Sequence, residues 1–243
     1  MKLIQLNIWG GRLGDQLNDL LSSEKPDVLC LQEAIDLDRG RGALFTSIGE
    51  ISEAIGLKYH YMSPAFSFNF MHRKAHFGNC IISRLPFVSQ ETVFTGREYE
   101  VDFDWTEHTQ NIRNLQHVQL RLPDGELLHV FNHHGHHNYA DKNGDDETIR
   151  QCSLIADKIK AISGKRILAG DFNLVPHSKS LQPINTLLRN LTAEANLRTT
   201  RTELTKLTEP CDYIFVSDDV KVKSFTASDA LVSDHQALIM EFN

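Results

Sequence analysis

The sequence contains few cysteines, and none of them has the paired spacing that binds zinc or builds a disulfide framework. The four cysteines are scattered without any Cys-x-x-Cys pattern, and three of them stand inside apolar runs. We therefore expect small core side chains in a reducing compartment. Glycine, with 14 residues, and proline, with 7, are too scarce for a collagen-like or low-complexity chain.

Positive charge is also scarce, since 25 Lys and Arg face 32 Asp and Glu, for a net charge of −7. This balance argues against a surface that binds nucleic acid everywhere, but not against a local phosphate site whose positive charge comes from a metal. No run approaches the roughly 20 apolar residues of a membrane span. The N-terminus lacks the charged and apolar regions of a signal peptide. We therefore expect a cytoplasmic protein.

The chain does have enough apolar sequence, at 41% hydrophobic, for one domain over residues 1–243. Short apolar runs predict strands, periodic runs predict helices, and residues 123–126 predict a hairpin turn. The predicted strands are 3–8, 28–31, 79–83, 116–122, 127–132, 166–169, 212–216 and 236–242, and the predicted helices are 13–21, 43–55 and 147–162. This alternation favours mixed sheets covered by helices in an α/β or α+β domain.

Residues 54–90 contain no Asp or Glu, while basic, histidine and aromatic side chains interleave along them. The charge then reverses over residues 91–107, which carry six acidic residues and one arginine. One interpretation is a pair of solvated loops. The other is a basic and aromatic lip that contacts an anionic substrate by charge and stacking. The sequence leaves both open.

Polar side chains follow or open most of the apolar runs. These residues are Asn7, Glu33, His134, Asp171, Asn173, Asp212, Asp234 and His235. Polar groups at strand ends that face one rim are where the chemistry of open sheets is usually found. Such an oxygen-rich set suits Mg²⁺ or Mn²⁺ better than Zn²⁺. Each residue alone is a weak signal, because turn and capping roles explain it equally well.

Taken together, the polar positions and their neighbours resemble the endonuclease/exonuclease/phosphatase superfamily, which has a deoxyribonuclease-I-like fold. The matching motifs occur in the family's order: Leu6-Asn7-Ile8-Trp9, Leu31-Gln32-Glu33, Asn132-His133-His134, Gly170-Asp171-Phe172-Asn173, Cys211-Asp212-Tyr213-Ile214 and Ser233-Asp234-His235. The resemblance implies a four-layer sandwich of two packed mixed β-sheets flanked by helices. It also implies divalent-metal-dependent hydrolysis of a phosphate ester.

The resemblance further implies a metal-binding role for three residues. Glu33 would be the principal ligand of Mg²⁺ or Mn²⁺, with Asn7 beside it. Asp234 would be a metal-facing or more remote carboxylate. Converging carboxylates repel one another without a cation, so the metal-free site should be destabilised. Either one or two ions would satisfy this set of ligands.

Five residues would carry the chemistry by the same resemblance. Asp171 would orient or deprotonate the attacking water, and Asn173 would hold that water or a phosphate oxygen. His134 and His235 would donate hydrogen bonds to the phosphoryl oxygens, with Asp212 paired to the ring of His235. A nearby carboxylate raises the pKa of a histidine and keeps it a donor near neutral pH.

Four of the 12 histidines fall within the five positions 133–137. In one interpretation His134 is the functional residue and the others face solvent in a loop. In the other, the cluster and residues 135–146 form a second metal site or an extended phosphate clamp. A shift of one residue would transfer the role to His133. The carboxylate partner of His134 is not identified.

Substrate contacts are predicted for Arg113 and Arg150, and for Asn79 in a run similar to a family strand. The acidic balance favours a small-molecule or lipid-headgroup phosphate ester as the substrate. A nuclease acting on DNA or RNA is the alternative, favoured by residues 54–90, and an inactive binding module is a third possibility. We expect a monomer.

Overall fold

The computed structural model describes residues 1–37, 44–104, 111–138 and 140–243. The strands are β1 Lys2–Asn7, β2 Val28–Leu37, β3 Tyr59–Phe70, β4 Arg73–Ser83, β5 Phe87–Phe94, β6 Asn114–Arg121, β7 Leu127–His134, β8 Lys165–Asp171, β9 Arg189–Asn190, β10 Asp212–Val216, β11 Val222–Ala227 and β12 Leu238–Phe242. The helices are α1 Gly14–Glu24, α2 Ile48–Ile55, α3 Asp146–Lys160, α4 Gln182–Asn185 and α5 Leu191–Glu194.

The strands form two mixed six-stranded sheets that pack face to face. The first sheet has the order β11-β12-β1-β2-β4-β3, and the second has the order β5-β6-β7-β8-β10-β9. One apolar cluster fills the space between them, with Leu3, Ile81, Val130 and Ile214 completely buried. Two further clusters pack α1 and α2 on the first sheet and α3 and α4 on the second. The predicted four-layer sandwich is therefore confirmed.

Capping residues explain where the helices begin, and they correct one predicted boundary. The helix predicted over 43–55 begins at Ile48, because the Ser47 hydroxyl accepts from the N–H of Glu50 at 3.3 Å and the Glu50 carboxylate accepts from the N–H of Ser47 at 2.9 Å. Residue 43 lies outside the described residues. Helix α3 has an equivalent capping box between Asp145 and Thr148. The hairpin turn predicted over residues 123–126 is confirmed by a hydrogen bond from Gly125 N–H to Leu122 carbonyl.

Residues 54–90 form mostly strands and not a solvated loop, so that interpretation is wrong for this stretch. Strands β3 and β4 pair antiparallel from Tyr59 opposite Ser83 to Phe70 opposite Arg73. The side chains of Phe66 and Phe68 are buried. The acidic stretch after β5 is described only in part, because residue 107 lies outside the described residues. Among the described residues, no helix has the length and apolar character needed to cross a bilayer.

A chain of buried amides ties the two sheets together beneath one rim. Gln5 donates to Oε1 of Gln32 at 2.8 Å, and Gln32 donates to Oδ1 of Asn132 at 2.6 Å. Asn132 in turn donates to Oε1 of Gln116 at 3.1 Å and to two backbone carbonyls of the first sheet. Because these bonds join β1, β2, β7 and β6, they fix the relative position of strands that carry the predicted site residues.

We expect Asn132→Ala to destabilise the protein by about 2–4 kcal/mol, because it leaves several buried polar partners without a hydrogen bond. Urea unfolding followed by circular dichroism measures the change. Asn69→Ala, at an exposed position on β3, is the matched control, with an expected change within about 0.5 kcal/mol. A similarly small effect at Asn132 would contradict the role of the network.

Two buried histidines make the fold sensitive to acid. Burial lowers the pKa of His117 to about 4 and that of His133 to about 4. His117 lies flat against the ring of Phe131, with ring centroids 4.3 Å apart. His133 donates its Nδ1–H to the carbonyl of Asn114 at 3.0 Å. Both side chains are therefore neutral in the folded protein at pH 7.

We expect the free energy of unfolding to fall as the pH drops from about 6.5 to 4, because the unfolded chain then binds protons that the folded chain excludes. Urea unfolding in EDTA at several pH values measures the slope. His117→Gln should reduce the number of protons taken up on unfolding by up to one. His60→Gln, at an exposed position, should leave that number unchanged. An unchanged slope in His117→Gln would refute the assignment.

Candidate active site

Neighbouring strand ends bring the predicted polar residues to one rim of the sandwich. Asn7 ends β1 beside Gln32 of the parallel strand β2. Asp171 ends β8 opposite His134 on one side and Asp212 on the other. The site is therefore built from both sheets, at the edge where β1, β7 and β8 end and β10 begins.

A β-bulge in β2 places Glu33 at this rim. The pairing of β2 with β4 shifts between Leu31 and Ala34, and Glu33 has a φ of +53°. A left-handed backbone conformation is strained for residues other than glycine. Such strain is retained where the structure or the function requires it. The bulge turns Glu33 to the cavity that it lines with His134.

Asn7 joins the two acidic residues of the rim. Its amide nitrogen lies 3.0 Å from Oε1 of Glu33 and 3.2 Å from Oδ2 of Asp171. The carbonyl of Asn7 accepts a hydrogen bond from the hydroxyl of Ser233 at 2.7 Å. The side chain of Asn7 is itself buried. Carboxylates from the two sheets thus meet at one amide.

The electrostatics of Glu33 differ from those of Asp171. Burial raises the pKa of Glu33, and the charges of Asp171 and Asp234 raise it further, although the Asn7 hydrogen bond opposes this. Burial alone would also raise the pKa of Asp171, but neighbouring cationic groups, led by His235, hold it below its ordinary value. Asp171 is therefore a carboxylate at neutral pH, and Glu33 is the acidic group that would gain most from a cation.

His235 is held in a buried ion-pair network. Its Nδ1 lies 2.8 Å from Oδ2 of Asp212, and its Nε2 lies 3.6 Å from Oδ2 of Asp171. Burial lowers the pKa of His235, but the charges of Asp212 and Asp171 outweigh this and raise it overall. Arg201 opposes the rise, and its Nη1 is in direct contact with Nε2 of the histidine. The position of the imidazole is thus set by Asp212.

His134 lies beside the same carboxylate as His235 but in a different electrostatic environment. Its Nε2 lies 3.8 Å from Oδ2 of Asp171, so that carboxylate is its neighbour at the rim. Burial, followed by the charge of Arg113, lowers the pKa of His134 well below its usual value. For this histidine the effect of burial therefore outweighs that of the neighbouring carboxylate. His134 is a neutral imidazole, able to donate one hydrogen bond.

Residues 135–146 bring a lysine to the site that the sequence analysis did not identify. Asn173, at a φ of +55°, donates its backbone N–H to Asp171 at 2.9 Å. Lys142 donates to Oδ1 of Asn173 at 2.6 Å, and its Nζ lies 2.9 Å from Nδ1 of His137. Burial lowers the pKa of Lys142. Lys142 lies within residues 135–146, which the sequence suggested as an extended phosphate clamp, but no pattern in the sequence singles out this lysine.

The remaining predicted residues divide between the site and its surroundings. Arg113 lines the same cavity as Glu33 and His134. Asn79 lies deeper, where its amide donates to Oδ1 of Asn114 at 3.0 Å. Asp234 lies near the rim but pairs with Arg201 at 3.6 Å.

Arg150 does not line this cavity. It lies on the exposed part of α3, where its guanidinium binds the carboxylate of Glu147 at 2.7 and 2.8 Å. It also contacts the carbonyl of Thr95. The prediction that it contacts the substrate phosphate is corrected accordingly.

The donor set of the rim fits a hard divalent cation. Among the described residues, the grouped metal-binding atoms within 4.8 Å of one another come from Asp171, Cys211, Asp212 and His235. Burial raises the pKa of the Cys211 thiol well above its usual value, so it remains protonated. Asp212 already accepts hydrogen bonds from Gln5, Thr200 and His235. Glu33 and the nearby carboxylate of Asp171 therefore suit Mg²⁺ or Mn²⁺ best.

Comparison with solved structures finds the same fold in several enzymes. An endonuclease/exonuclease/phosphatase from Beutenbergia cavernae is similar over 100% of this chain and 71% of its own, with a TM-score of 0.75 and 17% identity. A mannosyl-6-phosphatase from Bacteroides thetaiotaomicron is similar over 100% of this chain and 99% of its own, with a TM-score of 0.72 and 16% identity. ANGEL2, described as a 2′,3′-cyclic phosphatase, is similar over 99% of this chain and 94% of its own, with a TM-score of 0.71 and 14% identity.

No curated protein sequence matches the chain. The family model for the endonuclease/exonuclease/phosphatase family matches residues 4–235. That match includes every motif on which the resemblance rested. The chain therefore belongs to the endonuclease/exonuclease/phosphatase family.

Proposed function

We propose that the protein is a divalent-metal-dependent hydrolase that cleaves a phosphate ester by attack of an activated water on phosphorus. The observation that carries the proposal is the meeting of Glu33 and Asp171 at the amide of Asn7. Two histidines, one on each side of Asp171, complete the rim. The names of two structural neighbours, a mannosyl-6-phosphatase and a 2′,3′-cyclic phosphatase, agree with this reaction class.

Glu33 and Asn7 would hold the metal, with Asp171 and Asp234 contributing negative charge near it. When bound, Mg²⁺ or Mn²⁺ would neutralise charge on the phosphoryl group. It would also remove the electrostatic penalty on Glu33, whose pKa burial raises. The site would then be more stable with the cation than without it.

Asp171 is the residue placed to orient the attacking water. It remains ionised because His235 and other cationic groups lower its pKa. Its Oδ1 is fixed by the backbone N–H of Asn173 at 2.9 Å, so its Oδ2 faces His134, His235 and Asn7. A fixed carboxylate holds a water in position without reorganising during the reaction.

The cationic side of the rim would stabilise the phosphoryl oxygens. Arg201 supplies positive charge beside His235, which Asp212 holds in place, while neutral His134 supplies a single donor. Lys142 is linked to the site through Asn173 at 2.6 Å. Donors fixed before the substrate binds stabilise a transition state more effectively than mobile ones.

Hydrolysis of p-nitrophenyl phosphate and bis-(p-nitrophenyl) phosphate with Mg²⁺, Mn²⁺ or EDTA tests the proposal. We expect turnover of at least one ester with a metal and none with EDTA, and the comparison separates a phosphatase from a phosphodiesterase. A steep loss of activity with salt on single-stranded DNA or RNA would instead favour the nuclease alternative. Equal activity with metal and EDTA would overturn the proposal. Failure to hydrolyse either ester or nucleic acid, together with no Mn²⁺ binding, would favour a binding module.

A further inference from the structure

A cavity of about 650 Å³ opens directly beside Glu33 and His134. Its lining is mostly aromatic and aliphatic: Trp9, Ile35, Leu44, Phe45, Phe66, Phe68, Phe70 and Phe77. The polar side chains in the lining are Arg12, Glu33, Arg113 and His134, and three of these belong to the rim described above. This volume is typical of a pocket for a small organic ligand. The cavity therefore has a polar part at the site and an apolar part beside it.

The cavity arises because the first sheet continues beyond the place where the two sheets pack. Asn79 on β4 donates to Asn114, the first residue of β6. Past this point, β2, β3 and β4 remain paired for several more residues, as far as Leu37 opposite Ala75 and Phe70 opposite Arg73. The inner face of the first sheet thus extends outward from the rim.

Two β-bulges decide which side chains occupy that extended face. The pairing shifts between Leu31 and Ala34 in β2, and between Pro64 and Phe66 in β3. Because successive strand residues face opposite sides, an extra residue reverses the alternation. After the bulges, Ile35 and the alternating Phe66, Phe68 and Phe70 line the cavity beside the site.

The aromatic wall is preassembled by ring contacts. Phe66 stacks on Phe77 with centroids 5.0 Å apart, and on Phe103 at 4.4 Å. Phe45 meets Phe70 edge to face at 5.0 Å. Ring pairs at these distances attract one another and hold their orientations. A ligand therefore finds a fixed apolar surface rather than one that must be organised first.

Charge within the cavity determines which end of a ligand lies at the site. Arg113 and His134 lie in its polar part with Glu33, while Arg12 lies over the ring of Trp9 at 4.3 Å. A phosphoryl group would bind next to these donors and to a cation held by Glu33. The group esterified to it would then lie along the phenylalanine wall. Apart from the four polar residues and the indole N–H of Trp9, the described lining offers aromatic and aliphatic side chains that form no strong hydrogen bonds to a sugar.

We propose that the substrate is a phosphate ester of a hydrophobic alcohol or phenol, whose apolar group binds against Phe66, Phe68 and Phe70. This inference rests on the hydrolase function proposed above and narrows its substrate class. The shared chemistry is an apolar group linked to phosphate through oxygen, and it includes both aryl and alkyl esters. Each methylene buried against the wall should raise kcat/KM by about 3–4-fold until the cavity is filled.

The test compares esters that differ only in the group attached to phosphate. Glycerol, butyl, octyl and 1-naphthyl phosphates are used with Mg²⁺, both as monoesters and as p-nitrophenyl diesters. We expect kcat/KM to rise about 10²-fold from butyl to octyl, with the glycerol ester lowest. Because every diester releases the same leaving group, p-nitrophenol, a higher kcat/KM for the naphthyl than for the octyl diester identifies an aryl ester, and the reverse identifies an alkyl ester. Turnover that is equal for glycerol and for both apolar esters would overturn the inference while leaving the hydrolase function intact. Absence of turnover for every ester would overturn both.

A matched pair of variants tests the position of the apolar group. Phe70→Ala removes a half-buried ring from the wall and should lower the octyl-to-glycerol ratio of kcat/KM about 10-fold, chiefly by raising KM for the octyl ester. Phe87→Ala removes a half-buried ring from β5, outside the cavity lining, and should leave the ratio unchanged. Circular dichroism confirms that both variants are folded. An unchanged ratio in folded Phe70→Ala would overturn the inference.

Discussion

Replacement of Asp171 by asparagine is expected to lower kcat by about 10²–10⁴-fold, the range associated with loss of a positioned acid–base group. The carboxylate lies at the centre of the rim, 3.2 Å from the Asn7 amide and 3.6 Å from Nε2 of His235. Asparagine has nearly the same shape but cannot accept a proton from water. Steady-state hydrolysis of the best ester, at saturating Mg²⁺, measures the effect.

The control for this substitution is Asp157→Asn on the exposed side of α3. It removes the same charge from the protein without altering the rim, and its activity should match that of the wild type. The Asp171 variant should keep its fold, because the amide can still form hydrogen bonds to neighbouring groups. Activity of folded Asp171→Asn within about 10-fold of the wild type would exclude this residue as the group that orients the water.

Glu33→Gln is expected to remove the dependence of the protein's stability on divalent metal. Burial raises the pKa of Glu33, so the neutral glutamine removes an unfavourable charge from the metal-free site. We expect the metal-free variant to melt at a higher temperature than the metal-free wild type. Loss of the principal ligand should also lower kcat by about 10²–10³-fold, as for other electrostatic groups in hydrolytic sites.

Thermal unfolding with and without Mn²⁺ separates these effects from a general loss of structure. The wild type should gain about 2.7 kcal/mol when the free metal is at about 100 times its Kd, whereas Glu33→Gln should gain little. Glu53→Gln, exposed on α2, is the matched control and should respond like the wild type. An equal response of Glu33→Gln to Mn²⁺ would place the metal elsewhere.

The sequence predicted the layers and the strand ends because both depend on local patterns. Apolar runs followed by Asn7 or Asp171 mark strands that end at a polar rim, and the structure places these two side chains within hydrogen-bonding distance. The sheets predicted from those runs are present, although several strands are longer than the apolar runs alone indicated. Strand β3 was not predicted, although polar positions such as Ser67 and Asn69 alternate with phenylalanines on it, and this period of two is a strand signal.

Features that depend on tertiary structure could not be predicted in the same way. The bulge that turns Glu33 to the cavity depends on the pairing of β2 with β4. Lys142 reaches the site from a loop, and no periodic pattern determines where a loop side chain lies. The neutral state of His134 follows from its burial, which the sequence does not contain.

The central claim is that water attacks phosphorus in a reaction that requires a divalent cation, and an isotope experiment tests it most directly. Hydrolysis of the best ester is carried out in ¹⁸O-labelled water with Mg²⁺, and in parallel with EDTA. Mass spectrometry then locates the label in the products. We predict ¹⁸O in the phosphate product, none in the released alcohol, and no incorporation in EDTA. Label in the alcohol, or equal incorporation into phosphate with EDTA, would contradict the account.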